Sequence, residues 1–152
     1  MAPHVPPAAR RVLVWLGLLG LCAAYLQGAI AKLFDREAAL AEMAHFGLEP
    51  PWLFAVGVVA FEFCACAMVL AGRWRRPAAA ALGLFTLAAT FLALRWWQMP
   101  PGLDRSLAAN AFFEHLGLAG AWLLVAMGAV EALRGDPVPA PEPSRPRDAG
   151  PA

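Results

Sequence analysis

The sequence predicts an all-α protein, a transmembrane four-helix bundle with both termini in the cytoplasm. Hydrophobic residues make up 61% of the 152-residue chain and charged residues only 15%, which is far from the usage of soluble globular domains. Four apolar segments, at about 12–32, 52–72, 77–96 and 107–130, are each long enough to cross a bilayer. Arginines precede the first segment, separate the second from the third and follow the fourth, as in cytoplasmic loops.

The first two segments carry the least charge. Residues 12–31 hold no charged side chain and end at Lys32, and because this run is longer than a secretory signal core, we expect a retained helix. Residues 52–72 contain one charged side chain, Glu62, at the eleventh position. A charge at the centre of a spanning helix costs about 2.5–3.5 kcal/mol on insertion scales, and such groups usually face a bundle interior. Glu62 is therefore the first functional candidate.

The remaining elements follow from local signals. The third segment begins at Pro77, which suits a first helical turn. The fourth segment is the most polar, because Asn110, Glu114 and His115 lie in its first third. Residues 35–46 have helix-start and helix-stop signals and an apolar side, which predict a short helix lying flat on the membrane.

The two ends of the chain are predicted to lie outside the folded domain. Residues 1–11 are expected to be a flexible N-terminus, and residues 135–152 hold six prolines, a composition typical of a disordered tail. The four-helix domain is therefore placed at 12–134. A net charge of +1 with scattered basic residues argues against nucleic-acid binding.

The polar side chains of the spans gather toward the outer side of the predicted bundle. At 1.5 Å per residue, Glu62 lies about 15 Å from that face, and we expect one outward-opening pocket. The candidate pocket residues are Glu62, Lys32, Glu114, Asn110, Gln27, His115 and Arg95. Lys32 is the best candidate partner of Glu62. As a purely structural alternative, Lys32 with Glu62 and Arg95 with Glu114 are ion pairs that hold the bundle together.

Other chemistries lack their signatures. No catalytic residue can be named, because the sequence has no phosphate-binding loop and no nucleophile elbow. Cys22, Cys64 and Cys66 do not form a Cys-x-x-Cys motif, so we expect them to be packing residues. Residues 42–45 match half of a di-iron Glu-x-x-His pattern, but the second half is missing. No haem or metal site is expected.

Several short motifs, taken in order along residues 11–130, resemble the DoxX family. They are Gly28-Ala29-Ile30-Ala31-Lys32-Leu33, then Gly47-Leu48-Glu49-Pro50, Glu62, Gly72 with a basic turn, and Asn110-Ala111-Phe112-Phe113-Glu114-His115-Leu116-Gly117-Leu118-Ala119-Gly120. The resemblance implies a four-helix protein of the bacterial or archaeal inner membrane. The family is named for a small subunit of a quinone-linked thiosulfate-oxidising complex. Lys32 and Glu62 match its most recognisable polar positions, and Asn110 matches the start of its fourth-helix motif.

The resemblance favours one function and leaves others open. It implies a membrane subunit of a quinone- or sulfur-linked redox complex, whose pocket around Glu62 and Lys32 binds a quinone headgroup or docks a partner. Whether the chain itself catalyses a reaction is left open. A buried carboxylate equally suits a small proton-coupled transporter in which Glu62 exchanges protons for a substrate cation, and a non-catalytic assembly subunit is the third possibility. The expected partners are the lipid bilayer and either a redox-complex subunit or further copies of the chain in a homo-oligomer.

Overall fold

The computed structural model describes residues 6–134, which contain six α-helices and no β-strand. The helices are α1 (Pro7–Phe34), α2 (Arg36–His45), α3 (Pro51–Ala71), α4 (Arg75–Ala93), α5 (Leu103–Ala126) and α6 (Ala129–Arg134), with a 3₁₀ turn at Trp96–Gln98. By length and composition, α1, α3, α5 and the stretch from α4 through the 3₁₀ turn can each span a membrane. The predicted all-α four-span fold is confirmed. The predicted tail and the first five residues lie outside the described residues.

The helix ends differ from the predicted spans by about a turn. The first spanning helix begins at Pro7, a residue that fits a helix start because its missing N–H needs no partner there. Helix α4 ends at Ala93, and α5 runs from Leu103 to Ala126 instead of 107–130. Gly128 ends the last span, because its φ of 93° lies in the left-handed region that favours glycine. Which membrane face is cytoplasmic stays a prediction.

One half of the bundle is tightly packed. This half lies toward the basic end, defined as the end that carries the α3–α4 turn and α6. Its fully buried side chains come from all four spanning helices: Leu18, Cys22, Cys66, Val69, Ala79, Leu82 and Trp122. Interiors packed in this way leave few voids larger than a water molecule. This half therefore closes the bundle at the basic end.

A chain of buried hydrogen bonds connects α1, α4 and α5 at mid-depth. The indole Nε1 of Trp122 donates to the hydroxyl of Tyr25 at 2.8 Å, and that hydroxyl is hydrogen-bonded to Oγ1 of Thr86. Thr86 in turn donates to the carbonyl oxygen of Leu82 at 2.7 Å. The hydroxyl groups of Tyr25 and Thr86 therefore both have hydrogen-bond partners, as buried polar groups require. The network lies where the packed half of the bundle meets the other half, which is less tightly packed.

An ion cluster fastens α6 to the basic end. Arg75 is buried, its Nε donates to the carbonyl oxygen of Val69 at 3.0 Å, and its Nη1 lies 3.6 Å from Glu131 Oε1. The other Glu131 oxygen lies 3.7 Å from Nε of Arg76. A Cβ on Gly128 would lie 2.3 Å from Nη2 of Arg76, so any larger residue there would have to displace the Arg76 guanidinium.

At the opposite end, called the α2 end, α2 folds back against α3. The side chain of Asp35 accepts a hydrogen bond from the Ala38 N–H at 2.9 Å and caps the helix. Ala39 and Met43 are buried against Ala55 of α3. The predicted short helix is thus present, and it places its apolar side over the open half of the bundle.

Candidate functional site

A cavity of about 420 Å³ occupies the half of the bundle near the α2 end. Helices α1 to α5 all contribute to its walls, which are mostly apolar, with Val58, Phe85, Ala89 and Leu118 among them. Its volume is in the range of small-molecule binding sites, about 300–1,000 Å³, and few polar groups in apolar walls are typical of such sites.

Glu62 lies deep in this cavity. It is only 6% exposed and lines the cavity from α3, about 16 Å along the helix from Pro51 at 1.5 Å per residue. Its Oε2 is buried and has no hydrogen-bond partner among the described residues. Opposite, a Cβ built on Gly28 would lie 4.0 Å from both carboxyl oxygens. Gly28 of α1 therefore lies directly against the carboxyl group.

Lys32 pairs with a different carboxylate from the one expected. Its Nζ lies 3.2 Å from Glu42 Oε2, and the described residues contain no ion pair between Lys32 and Glu62. The physical reason is the position of α2, which places Glu42 beside the end of α1, whereas Glu62 lies deeper in the membrane. All three side chains line the cavity, with the Lys32–Glu42 pair nearer the α2 end.

His115 is the second deep polar group. It lines the cavity from α5, and its Nδ1 is buried without a hydrogen-bond partner among residues 6–134. It lies about 18 Å along α5 from Leu103 at 1.5 Å per residue, close to the depth of Glu62. Helix α4 packs against both α3 and α5, so Glu62 and His115 enter the cavity from different walls.

Four predicted pocket residues do not line the cavity. Gln27, Asn110, Glu114 and Arg95 are exposed on the outside of the bundle. Arg95 donates through Nε to the carbonyl oxygen of Phe91 at 3.4 Å, and no ion pair with Glu114 is present in the described part of the chain. These residues have the depth expected of the pocket but lie on other helix faces.

The structure adds cavity residues that were not among the predicted pocket residues. Glu42, Tyr25, Thr86 and Thr90 all line the cavity. Thr86 and Thr90 could have been identified from their four-residue spacing in the otherwise apolar residues 77–93 of α4, which places them on one face of the helix. Thr90 donates to the carbonyl oxygen of Thr86 at 2.6 Å, so its hydroxyl proton is already engaged.

Residues 6–134 contain neither a cluster of three potential metal ligands nor a disulfide. Among residues 6–134, no group of three or more His, Cys, Asp or Glu side chains could hold a metal ion. The three cysteines are free, Cys22 and Cys66 in the packed core and Cys64 on the surface. The thiol of Cys66 lies 3.9 Å from the carbonyl oxygen of Cys22, a contact between packed helices.

Comparison with known proteins gives two matches. A family model described as DoxX matches residues 14–95. The chain is also similar to "Inner membrane protein YphA" of Escherichia coli strain K12, with 26% identity over 120 residues that cover 79% of this chain and 85% of that protein. No solved structure matches. The family match includes Lys32 and Glu62, whereas His115 lies beyond it.

Proposed function

Because the chain belongs to the DoxX family of membrane proteins, we propose that it is the membrane subunit of a redox complex and binds a quinone headgroup in its cavity. The family match confirms the family predicted from the motifs, and the inner-membrane relative with the four apolar helices confirms the predicted location. The redox role itself rests on what the family resemblance implies. The choice of a quinone as the ligand rests on the chemistry of the cavity.

The observation that carries this proposal is a pair of unpaired polar atoms in one apolar cavity. Glu62 Oε2 and His115 Nδ1 are both buried without partners and reach the cavity from different walls at similar depth. A buried polar atom is costly unless a hydrogen bond satisfies it. A quinone ring carries carbonyl oxygens on opposite edges, and both a neutral carboxyl group and an imidazole N–H can donate to them.

The rest of the cavity suits a planar apolar ring. Phe85, Val58 and Leu118 supply apolar contacts, and the packed half of the bundle keeps water away from the basic-end side. The residues of this chain would thus bind and orient the headgroup, and the Glu62 carboxyl would hold a proton next to a carbonyl oxygen. Electrons would come from an oxidoreductase partner of the complex.

The direct test is equilibrium binding of a short-chain quinone to the purified protein in lipid nanodiscs. Glu62→Leu removes the hydrogen-bond donor and should weaken binding about tenfold, the equivalent of one neutral hydrogen bond. Glu62→Gln keeps an N–H donor and should bind nearly as well as the wild type. Glu114→Gln is the matched control, because Glu114 lies at similar depth outside the cavity. Absence of quinone binding by the wild type, or unchanged binding by Glu62→Leu, would reject the proposal.

The redox-complex part has its own test. The tagged chain, purified in mild detergent from its native membrane, should bring down an oxidoreductase and quinone detectable by mass spectrometry. Recovery of neither would leave the chain without the partner that this proposal requires.

A proton-coupled transporter is the second candidate, and the one-sided shape of the cavity favours it. The cavity lies toward the α2 end, with Lys32 and Glu42 paired near that end, while the other half is closed by packing. Such a shape is expected of one state of an alternating-access cycle. Glu62→Gln separates the two candidates, since it should preserve quinone binding but abolish proton-coupled uptake in proteoliposomes. Unchanged uptake would dismiss the transporter, and a change in stability alone would indicate the assembly subunit.

A further inference from the structure

Two polar side chains of α5 lie exposed within its membrane-spanning stretch. Asn110 and Glu114 are on the outside of the bundle, about 10 Å and 16 Å along the helix from Leu103 at 1.5 Å per residue. Neither has a hydrogen bond or ion pair to another described residue. A carboxyl group facing lipid at this depth is strongly unfavourable, so such residues face protein or a polar cavity in membrane proteins.

These two residues belong to a continuous stripe, which we call the α5 seam. Its members follow one another at alternating intervals of four and three residues: Leu103, Leu107, Asn110, Glu114, Gly117, Ala121 and Leu124. This is the heptad spacing by which helices pair in left-handed coiled coils and in most membrane bundles. Leu103, Leu107 and Leu124 are 74%, 56% and 59% exposed. A Cβ on Gly117 would have no neighbour within 4 Å, which leaves room for another helix to approach closely.

We propose that the α5 seam is the face through which two copies of this chain form a dimer in the membrane. Two copies inserted in the same direction are related by a two-fold axis along the membrane normal, so each seam residue meets its own counterpart. Asn110 then lies beside the partner's Asn110 and one helical turn, about 6 Å, from the partner's Glu114. The amide both donates and accepts, and a protonated carboxyl does the same, so the paired Asn110 and Glu114 side chains can satisfy one another without a countercharge.

The second copy is favoured over a foreign subunit by what the seam contains. It has a hydrogen-bond donor and acceptors one turn apart, small residues beside them, and leucines at both ends, which is a self-complementary set. The nearest cation on α5, Arg105, lies over the ring of Trp96 and does not pair with Glu114. The dimer leaves the cavity accessible, because His115 faces inward from the other side of α5. This inference is independent of the quinone proposal.

Disulfide cross-linking in native membranes tests the seam directly. Leu123 and Leu124 are neighbouring leucines that are each 59% exposed, but they point about 100° apart on the helix and only Leu124 is in the seam. In a Cys64→Ala background, which removes the exposed native thiol, mild oxidation of Leu124→Cys should give a band of twice the monomer mass. Leu123→Cys should give about tenfold less of this cross-linked dimer, because the two introduced thiols of a dimer would be too far apart to form a disulfide.

Three outcomes of this experiment would overturn the proposal. They are equal cross-linking at the two positions, no cross-linking at Leu124→Cys, and an adduct at Leu124→Cys whose mass shows a different protein. The two variants differ by one position in an otherwise identical chain, so a folding defect would affect both alike.

The polar pair has a separate test. The dimer dissociation constant in lipid should rise about tenfold in Asn110→Leu and in Glu114→Leu, since each change removes a hydrogen bond from both copies. Leu123→Ala is the matched control outside the seam and should leave the constant unchanged. A well-folded Glu114→Leu protein that dimerises as strongly as the wild type would contradict the proposed role of the carboxyl.

Discussion

Replacing Glu62 with leucine should make the protein more stable while it weakens quinone binding. The carboxyl is 6% exposed, and its Oε2 has no hydrogen-bond partner among the described residues. A buried polar atom without a partner costs about 1–3 kcal/mol. Leucine is similar in size, and the facing Gly28 leaves space around the side chain, so the change creates neither a clash nor a large void. We therefore expect the free energy of unfolding to rise by about 1–3 kcal/mol.

The assay is thermal unfolding of the quinone-free protein in detergent, followed by circular dichroism. For a chain of this length, each kcal/mol corresponds to a rise in Tm of roughly 2–4 °C. Glu131→Leu is the opposite control: it removes a carboxylate that pairs with Arg75 and Arg76, and removing one partner of a buried ion pair lowers stability. A loss of stability in Glu62→Leu comparable to that of Glu131→Leu would refute the reasoning, because it would mean that Glu62 is held by a structural partner.

Three further changes have distinct expected results. Tyr25→Phe removes the hydroxyl that joins three helices and should lower the unfolding free energy by about 1–3 kcal/mol, measured by the same thermal assay. Glu42→Gln should change stability by less than about 1 kcal/mol, because the Lys32–Glu42 pair is partly exposed; a larger loss would contradict this. Gly128→Ala should cost about 1–3 kcal/mol through its positive φ, and an unchanged Tm would show that the turn relaxes.

The fold was predictable because the bilayer restricts what apolar segments can do. A run of about 20 apolar residues has to be a helix, since every backbone group must be bonded internally. The exact ends were not predictable from hydropathy. The last span stops where Gly128 adopts a left-handed conformation, and the first is extended by a proline-led turn, and both are local backbone effects that an apolar average does not register.

The candidate site was only partly predictable, because depth along a helix does not give direction around it. Glu62 and His115 had the right depth and also face the cavity. Asn110 and Glu114 had similar depth, but α5 turns them outward, and only the packing of α5 on α4 decides this. Lys32 was expected to be the partner of Glu62, but its ion pair is with Glu42, because α2 folds back and brings its own carboxylate, which the sequence does not reveal.

The placement of a quinone between Glu62 and His115 is tested most directly by infrared spectroscopy of a quinone labelled with ¹³C at its carbonyl carbons and bound to the protein in nanodiscs. Hydrogen bonding lowers the frequency of a carbonyl stretch, so both bands should be lowered in the wild type. Glu62→Leu should return one band toward the frequency of the free quinone, and His115→Leu should return the other. Bands at the free-quinone frequency in the wild type, or bands that neither substitution changes, would contradict the proposed binding mode.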